Sequence, residues 1–309
     1  MKKLLIAAAV TSTLLVPLAA QAEKIGLAMA QQDTFLTILK NGTLEAGKKF
    51  GATVQVEDAG NDVGKQLSQI QNMIAQKVDA IIVNPVDTDA TPKITKMVSD
   101  AKIPLVYVNR KPVDFAKLPA GVAFVASDEK VSGTVQTQQV CKLLNGKGNL
   151  LVLMGELSNE AARTRTQDIE DVVKTPECSG LKIVDKREGA WDRTKGQDIM
   201  TNWLSSGVKF DAIVANNDEM AIGAILAAKD LGLRVPQDVS VIGIDDHDLA
   251  EFFGITTITQ TVGDQATFAV KTILDLLADP SLGSHVNVDE NTVWPSELIV
   301  RSSTARVNS

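Results

Sequence analysis

The stretch 211–246, DAIVANNDEMAIGAILAAKDLGLRVPQDVSVIGIDD, leaves few folds open to this chain. Two short apolar runs rich in β-branched residues, 212–215 and 239–244, flank a segment of helical length. Runs this short, without polar alternation, suit strands buried on both faces, as in a parallel sheet whose strands are joined by crossover helices. Polar residues then gather where the strands end: Asn216, Asn217 and Asp218 after the first run, Asp245 after the second. In open α/β sheets ligands sit in the crevice outside the carboxyl ends of the strands, so these four side chains are placed to meet a small molecule.

The same alternation runs through nearly the whole chain. Strands are expected at 24–29, 53–56, 79–83, 103–108 and 121–126, with helices at 35–50, 61–77 and 87–101. Residues 110–120 carry two prolines, lose the periodicity and read as a surface loop. The pattern resumes with helix 128–144, strand 149–154, helix 161–173, strand 181–186 and helix 193–206. After the opening stretch come a crossing segment at 252–260, a helix at 263–277 and two short strands within 286–300. A length of 309 residues suits two domains, and 44% hydrophobic with 22% charged residues is ordinary globular composition. The expected fold is therefore α/β, with two doubly wound parallel-sheet lobes.

Helix 263–277 arrives after the second set of strands is complete and is assigned to the first lobe. That divides the chain into an N-terminal lobe, 23–126 plus 261–292, and a C-terminal lobe, 127–260 plus 293–309. The chain then crosses between lobes three times, which makes a hinge about which the lobes move as bodies.

Residues 1–22 are built differently. Lys2 and Lys3 precede an apolar run at 4–18 and the small-x-small site Ala20-Gln21-Ala22, the order of a secretory signal peptide cleaved after Ala22. That run is short for an anchor, and no later one approaches the ~20 apolar residues of a membrane-spanning helix. Without the leader lysines, 29 basic residues face 38 acidic ones, a formal charge of −9 that repels nucleic acid. Export makes the surroundings oxidising, and the even pair Cys141 and Cys178 favours a disulfide, with two separate buried thiols as the other reading. Their spacing fits no metal or redox motif. His247 lies among aspartates without ligand spacing, so neither a metal nor a cofactor is expected.

Seven segments in order, NPVDTDA (84–90), IPLVYVNR (103–110), FVASDE (124–129), EAARTR (160–165), WDRTKG (191–196), NNDEMAIGA (216–224) and VIGIDD (241–246), carry a resemblance over nearly the whole mature chain. Together they resemble the ribose-type periplasmic sugar-binding proteins, solute-binding subunits of ABC transporters with the type I fold. The resemblance implies a monomer in the periplasm that closes over a sugar or cyclitol and hands it to an ABC-type permease, without catalysis. A chemoreceptor that reads the closed form is a further candidate partner.

By the family pattern, ligand contacts fall on Phe35, Asn109, Arg110, Arg165, Trp191, Asn217, Asp245 and Gln260. The residue types agree with that chemistry. Adjacent hydroxyls of a polyol both donate and accept, which suits planar Asp, Asn and Arg groups able to engage two at once, while aromatic rings suit its C–H faces. Two positions depart from the pattern: Asn109 stands where the ribose proteins carry aspartate, and Thr34-Phe35-Leu36 replaces a Pro-Phe-Phe stretch. Both changes favour a ligand other than ribose, such as a six-membered polyol. The segment MGELSNEAARTR (154–165), with the two cysteines, also resembles members described as binding inositol or its amino derivative, rhizopine.

Two other classes compete. An effector-binding regulator core shares SVIGIDD, but it needs a helix-turn-helix of about 60 residues ahead of Lys24, where the leader stands instead. An exported sugar-acting enzyme would use Asp245 and Asp218, yet the sequence has no nucleophile elbow, metal motif or Gly-rich phosphate loop.

Overall fold

The computed structural model describes residues 22–282, 293–294 and 296–304. The leader at 1–22 lies outside the described residues except for Ala22, as do 283–292 of the region expected to hold the last strands. Strands β1 (Lys24–Met29), β2 (Thr53–Asp58), β3 (Ala80–Val83), β4 (Leu105–Val108) and β5 (Val122–Ser127) form a parallel sheet. With β11 (Val293–Trp294) at its edge, the order is β11-β5-β4-β3-β1-β2. Alternate residues of the buried strands face opposite layers. Ile82, Val106 and Val108 pack with helices α1 (Thr34–Lys49) and α9 (Val262–Ala278), while Ile81, Val83, Leu105 and Tyr107 pack with α2 (Val63–Ala75) and α3 (Thr91–Asp100).

The second lobe repeats the plan. Strands β6 (Lys147–Met154), β7 (Gly180–Glu188), β8 (Ala212–Ala215) and β9 (Ser240–Ile242) run parallel in the order β7-β6-β8-β9. Helices α6 (Arg193–Ser206) and α7 (Asp218–Asp230) cover the face that presents Leu151, Leu153 and Ile213. Helices α4 (Glu129–Leu143) and α5 (Glu160–Val172) cover Leu150, Val152 and Val214. Both lobes are thus doubly wound. Among the described residues, no helix is long and apolar enough to cross a membrane.

Four of the strand-to-helix turns end in a carboxylate or amide cap. Asp33 accepts the Leu36 amide, Asp62 that of Lys65, Asp192 that of Lys195 and Asn217 that of Met220. Each such cap satisfies an orphan helix amide and stabilises by ~1 kcal/mol. Cys141, in the last turn of α4, is joined to Cys178 in a disulfide with Cα atoms 5.6 Å apart.

Some boundaries differ from expectation. The helix expected at 87–101 opens as a 3-10 turn, Thr88–Ala90, before α3 begins. The strand expected at 239–244 pairs with β8 only to Ile242, because the chain beyond turns to the crossing segment: Gly243 donates to the Thr256 carbonyl at 2.9 Å and Asp245 to that of Ile258 at 2.8 Å. A short helix α8 (Asp248–Phe253), closed by Gly254 at φ 67°, occupies the start of the expected crossing. The crossing itself holds β10 (Thr257–Ile258), which pairs antiparallel with β12 (Leu298–Ile299).

Candidate functional site

The carboxyl ends of both sheets face one cavity between the lobes. The first lobe contributes Asp33, Phe35 and Leu36 after β1, and Asn109 and Arg110 after β4. The second contributes Glu129 at the start of α4, Asn159, Ala161 and Arg165 after β6, Trp191 after β7, Asn217 after β8 and Asp245 after β9. Strand ends supply most of the wall because the buried strands carry no polar side chains until they leave the sheet.

Arg165 is the hub of the second-lobe wall. Its guanidinium forks onto Glu129, with Nη2 to Oε1 at 3.0 Å, and donates through Nη1 to the Asn216 carbonyl. It stands 3.9 Å from Asp245 Oδ1 and lies over the Trp191 ring at 5.6 Å. Burial works against its charge, but Glu129 beside it outweighs that and holds Arg165 above its ordinary pKa. Arg110, also buried, has no such partner. Its Nη1 donates to the carbonyls of Pro85 at 2.9 Å and Val86 at 3.3 Å, and burial pulls its pKa down against the pull of Asp33 and Glu156.

Asp245 is 8% exposed. Among the described residues, no donor stands within hydrogen-bond distance of its carboxylate. Burial raises its pKa well above the ordinary range, Arg165 opposes, and Asp218, Asp33 and Glu129 add to the rise. Two more polar atoms of the wall, Asn159 Oδ1 and Trp191 Nε1, are buried with no hydrogen-bond partner among the described residues. Unsatisfied buried groups are costly, and these two stand where a polar ligand in the cavity would complete their bonding.

The backbone is strained at the same place. Asn109 has φ 67°, Trp191 φ 68° and Asp245 φ 132°, all in the region that favours glycine. Such residues cost of order 1–3 kcal/mol each, less for asparagine, and gather at ligand clamps because the surrounding structure holds them there. The strain turns three side chains out of the run of their strands and toward the cavity.

Of the eight residues picked out by the family pattern, the structure brings seven to the cavity wall and sets Gln260 behind it. Gln260 is buried on the crossing segment, donates to Ser132 Oγ at 3.2 Å, and has its carbonyl engaged by Ser127 and Gln265. Asn217 reaches the cavity with its polar atoms already in use: Oδ1 caps α7 at Met220, and Nδ2 donates to the Trp191 carbonyl at 3.2 Å, which fixes the strained turn carrying the indole. Asn109 Oδ1 accepts from Asn84 at 3.3 Å.

Asp33, Glu129 and Asn159, which also line the cavity, are not among the residues that the family pattern picks out. Asp33 and Asn159 carry a usable signal, a capping residue type immediately before a helix. Glu129 carries none, since only the tertiary fold sets it against Arg165, 36 positions away.

Asp218 does not line the cavity. It is buried behind it, accepting from Thr257 Oγ1 at 2.7 Å and from the Asp246 amide at 2.8 Å. Burial pushes its pKa up to about 8 against those two bonds. His247 packs 3.5 Å from Glu219, which is itself forked by Arg193, and the described residues hold no cluster suited to a metal.

Two doubly wound lobes with one polar cavity at their strand ends define the type I periplasmic-binding-protein architecture. The chain belongs to the periplasmic binding protein domain family, whose pattern matches residues 25–279. It is 56% identical over 250 residues, 80% of either chain, to a Rhizobium meliloti protein provisionally named as rhizopine-binding. It is 32% identical to a xylitol-binding protein of Mycolicibacterium smegmatis, over 84% of this chain and 75% of that one. Among solved structures it resembles an ABC transporter solute-binding protein of Bacillus halodurans with bound myo-inositol, at 35% identity and a TM-score of 0.81, covering 90% of this chain and 94% of the other.

Proposed function

We propose that this protein is exported through a leader cleaved after Ala22, captures a cyclitol or closely related polyol between its lobes, and delivers it to an ABC-type importer. The observation that carries this reading is the cavity wall itself. Arg110, Arg165, Asp245 and Asn109 offer donors and acceptors from both lobes, and Phe35 and Trp191 stand among them. A neutral six-membered polyol has about 12 non-hydrogen atoms, so micromolar affinity needs about −0.7 kcal/mol per atom, within reach of a ligand with most of its hydroxyls engaged.

The likeness to the inositol-bound and rhizopine-named proteins favours a cyclitol over ribose, as do Asn109 and Leu36. In this reading Asp245 and the two arginines clamp hydroxyls, Phe35 and Trp191 cover C–H faces, and Gln260 acts through the hinge. The lobes are 23–126 with 261–292 and 127–260 with 293–309. The pairing of Val293–Trp294 with Ala126–Ser127 supports crossings near those points. The protein works as a monomer whose closed form the permease, and a chemoreceptor where one exists, would recognise.

A thermal-shift screen of myo-inositol, its amino derivatives, xylitol, ribose and hexoses tests the reading. A ligand at 100 times its dissociation constant stabilises by about 2.7 kcal/mol. The expected result is stabilisation by a cyclitol and recovery of the same molecule unaltered after incubation. Stabilisation by ribose alone would overturn the cyclitol assignment, and conversion of the ligand would overturn the binding role.

A further inference from the structure

A second set of bonds bridges the lobes outside the cavity. Thr88, in the 3-10 turn after β3, is fully buried, and all three hydrogen bonds of its hydroxyl cross to the second lobe. Oγ1 donates to the Ser158 carbonyl at 3.1 Å, and it accepts from the Glu160 amide at 3.1 Å and from Arg163 Nη2 at 3.2 Å. The Thr88 amide donates to the same Ser158 carbonyl at 3.2 Å. Arg163 ties the other side together, with Nη1 on the Leu157 carbonyl at 2.6 Å and Nη2 3.5 Å from Asp89. Neither Thr88 nor Arg163 lines the cavity.

We infer that Thr88 and Arg163 form a closure latch, a positioning pair that sets the closed fraction of the protein, and with it the affinity, without touching ligand. The inference rests on the solute-binding reading and extends it. If the lobes separate, every bond of Thr88 to Ser158, Glu160 and Arg163 is broken together with the Arg163–Asp89 pair, because each of these has one partner in either lobe. A contact made only in the closed state multiplies apparent affinity by its effect on the closed population, as a ligand contact would. The latch is also continuous with the cavity. The Val86 carbonyl, two residues before Thr88, accepts from Arg110 Nη1 at 3.3 Å and from Asn159 Nδ2 at 3.4 Å, both side chains of the wall. Motion of the wall is thereby transmitted to the turn that carries the latch.

The test compares wild type with Arg163→Met, Thr88→Val, the double variant and Thr88→Ser, using myo-inositol in calorimetry and stopped-flow, and amide hydrogen exchange with and without it. Arg163→Met, which removes one bond to the Thr88 hydroxyl, is expected to weaken binding about 3–20-fold, and Thr88→Val, which removes three, at least as much, both through faster dissociation. The double variant should be little weaker than Thr88→Val alone, since the bond between the two side chains can be lost only once. Thr88→Ser, which keeps the hydroxyl, should bind within about twofold of wild type.

Exchange at the Thr88 and Glu160 amides should quicken in the Arg163→Met protein, while amides of β1 and β8 and the ligand-free melting temperature stay unchanged. Variants that bind within twofold of wild type overturn the latch, and so does a fall in the ligand-free melting temperature matching the loss of affinity. If wild type ignores myo-inositol and every other polyol in the screen, the functional reading falls. The latch, which rests on that reading, then falls with it, whereas a wild type that binds and variants that bind equally well overturn the latch alone.

Discussion

Asp245 is held in a strained conformation between an arginine 3.9 Å away and the cavity, with no protein donor among the described residues close enough to bond its carboxylate. Charged hydrogen bonds contribute roughly 1.5–3 kcal/mol each, so losing two ligand hydroxyls should weaken binding at least a hundredfold in Asp245→Ala. Asp246→Ala and Asp248→Ala should bind nearly as wild type. Asp246 is engaged elsewhere, 2.7 Å from Arg301, and Asp248 opens α8. Calorimetry on the three variants decides it, and an Asp245→Ala protein within tenfold of wild type would remove the carboxylate from the site. The position was legible because an acid directly after a buried run has nowhere to go but the crevice. Asp246 is less so: it turns back at φ 58° to meet Arg301, a partner 55 positions away that no local pattern announces. Asp218 carries a second prediction at this scale. Its folded pKa of about 8 lies above the unfolded value, so the fold holds the proton more tightly. Its contribution to stability is fully present below about pH 4 and is lost as the pH rises through about 8. Asp218→Asn imitates the protonated acid, and its urea-unfolding free energy should fall less between about pH 5 and about pH 8.5 than that of wild type. Equal falls in the two proteins would show that Asp218 does not titrate in that window.

Among the elements, the buried strands were the easiest to read, because AIIV and LVYV admit no amphipathic helix and sit between capping residues and turns. Harder were the places where one element yields to another. The end of β9 is set by hydrogen bonds to the crossing segment, and the 3-10 opening of α3 belongs to a turn whose hydroxyl is bonded to the opposite lobe. Neither partner is visible in the local sequence. The disulfide was half legible: composition and export favoured it, while the geometry that permits it depends on α4 ending beside the turn that precedes β7. That junction lies at the amino ends of the strands, the opposite end of the sheet from the cavity. Joining residues 37 apart should stabilise by about 3–4 kcal/mol in the chain-entropy account. The Cys141→Ser/Cys178→Ser protein should therefore unfold at lower urea by about that free energy, and its ligand affinity should be unchanged. A loss of affinity with intact stability would mean that the bridge shapes the site rather than the fold.

At the scale of the molecule, the sequence points to two lobes through its length and through a helix left over after the second set of strands, and α9 packs on β3, β4 and β5. What the sequence could not give is the state of the hinge, which depends on contacts between surfaces far apart in the chain. The structure is closed: Thr88, Asn159 and Arg163 bridge the lobes, and most of the cavity wall is buried. If ligand enters between the lobes, that arrangement must open, and the crossing segments are where dihedral change can be absorbed while each core stays intact. Within each lobe the apolar faces are already covered by helices, so opening exposes mainly the polar wall and leaves the sheets undisturbed. Binding should then shrink the radius of gyration measured by small-angle scattering, with no change in far-ultraviolet circular dichroism. The ligand-free profile should fit a more open pair of the same two lobes, and the ligand-bound profile should fit the closed structure. A radius of gyration that stays the same under saturating ligand would mean that solute reaches the cavity without hinge motion, through a gap that local side-chain movement alone provides.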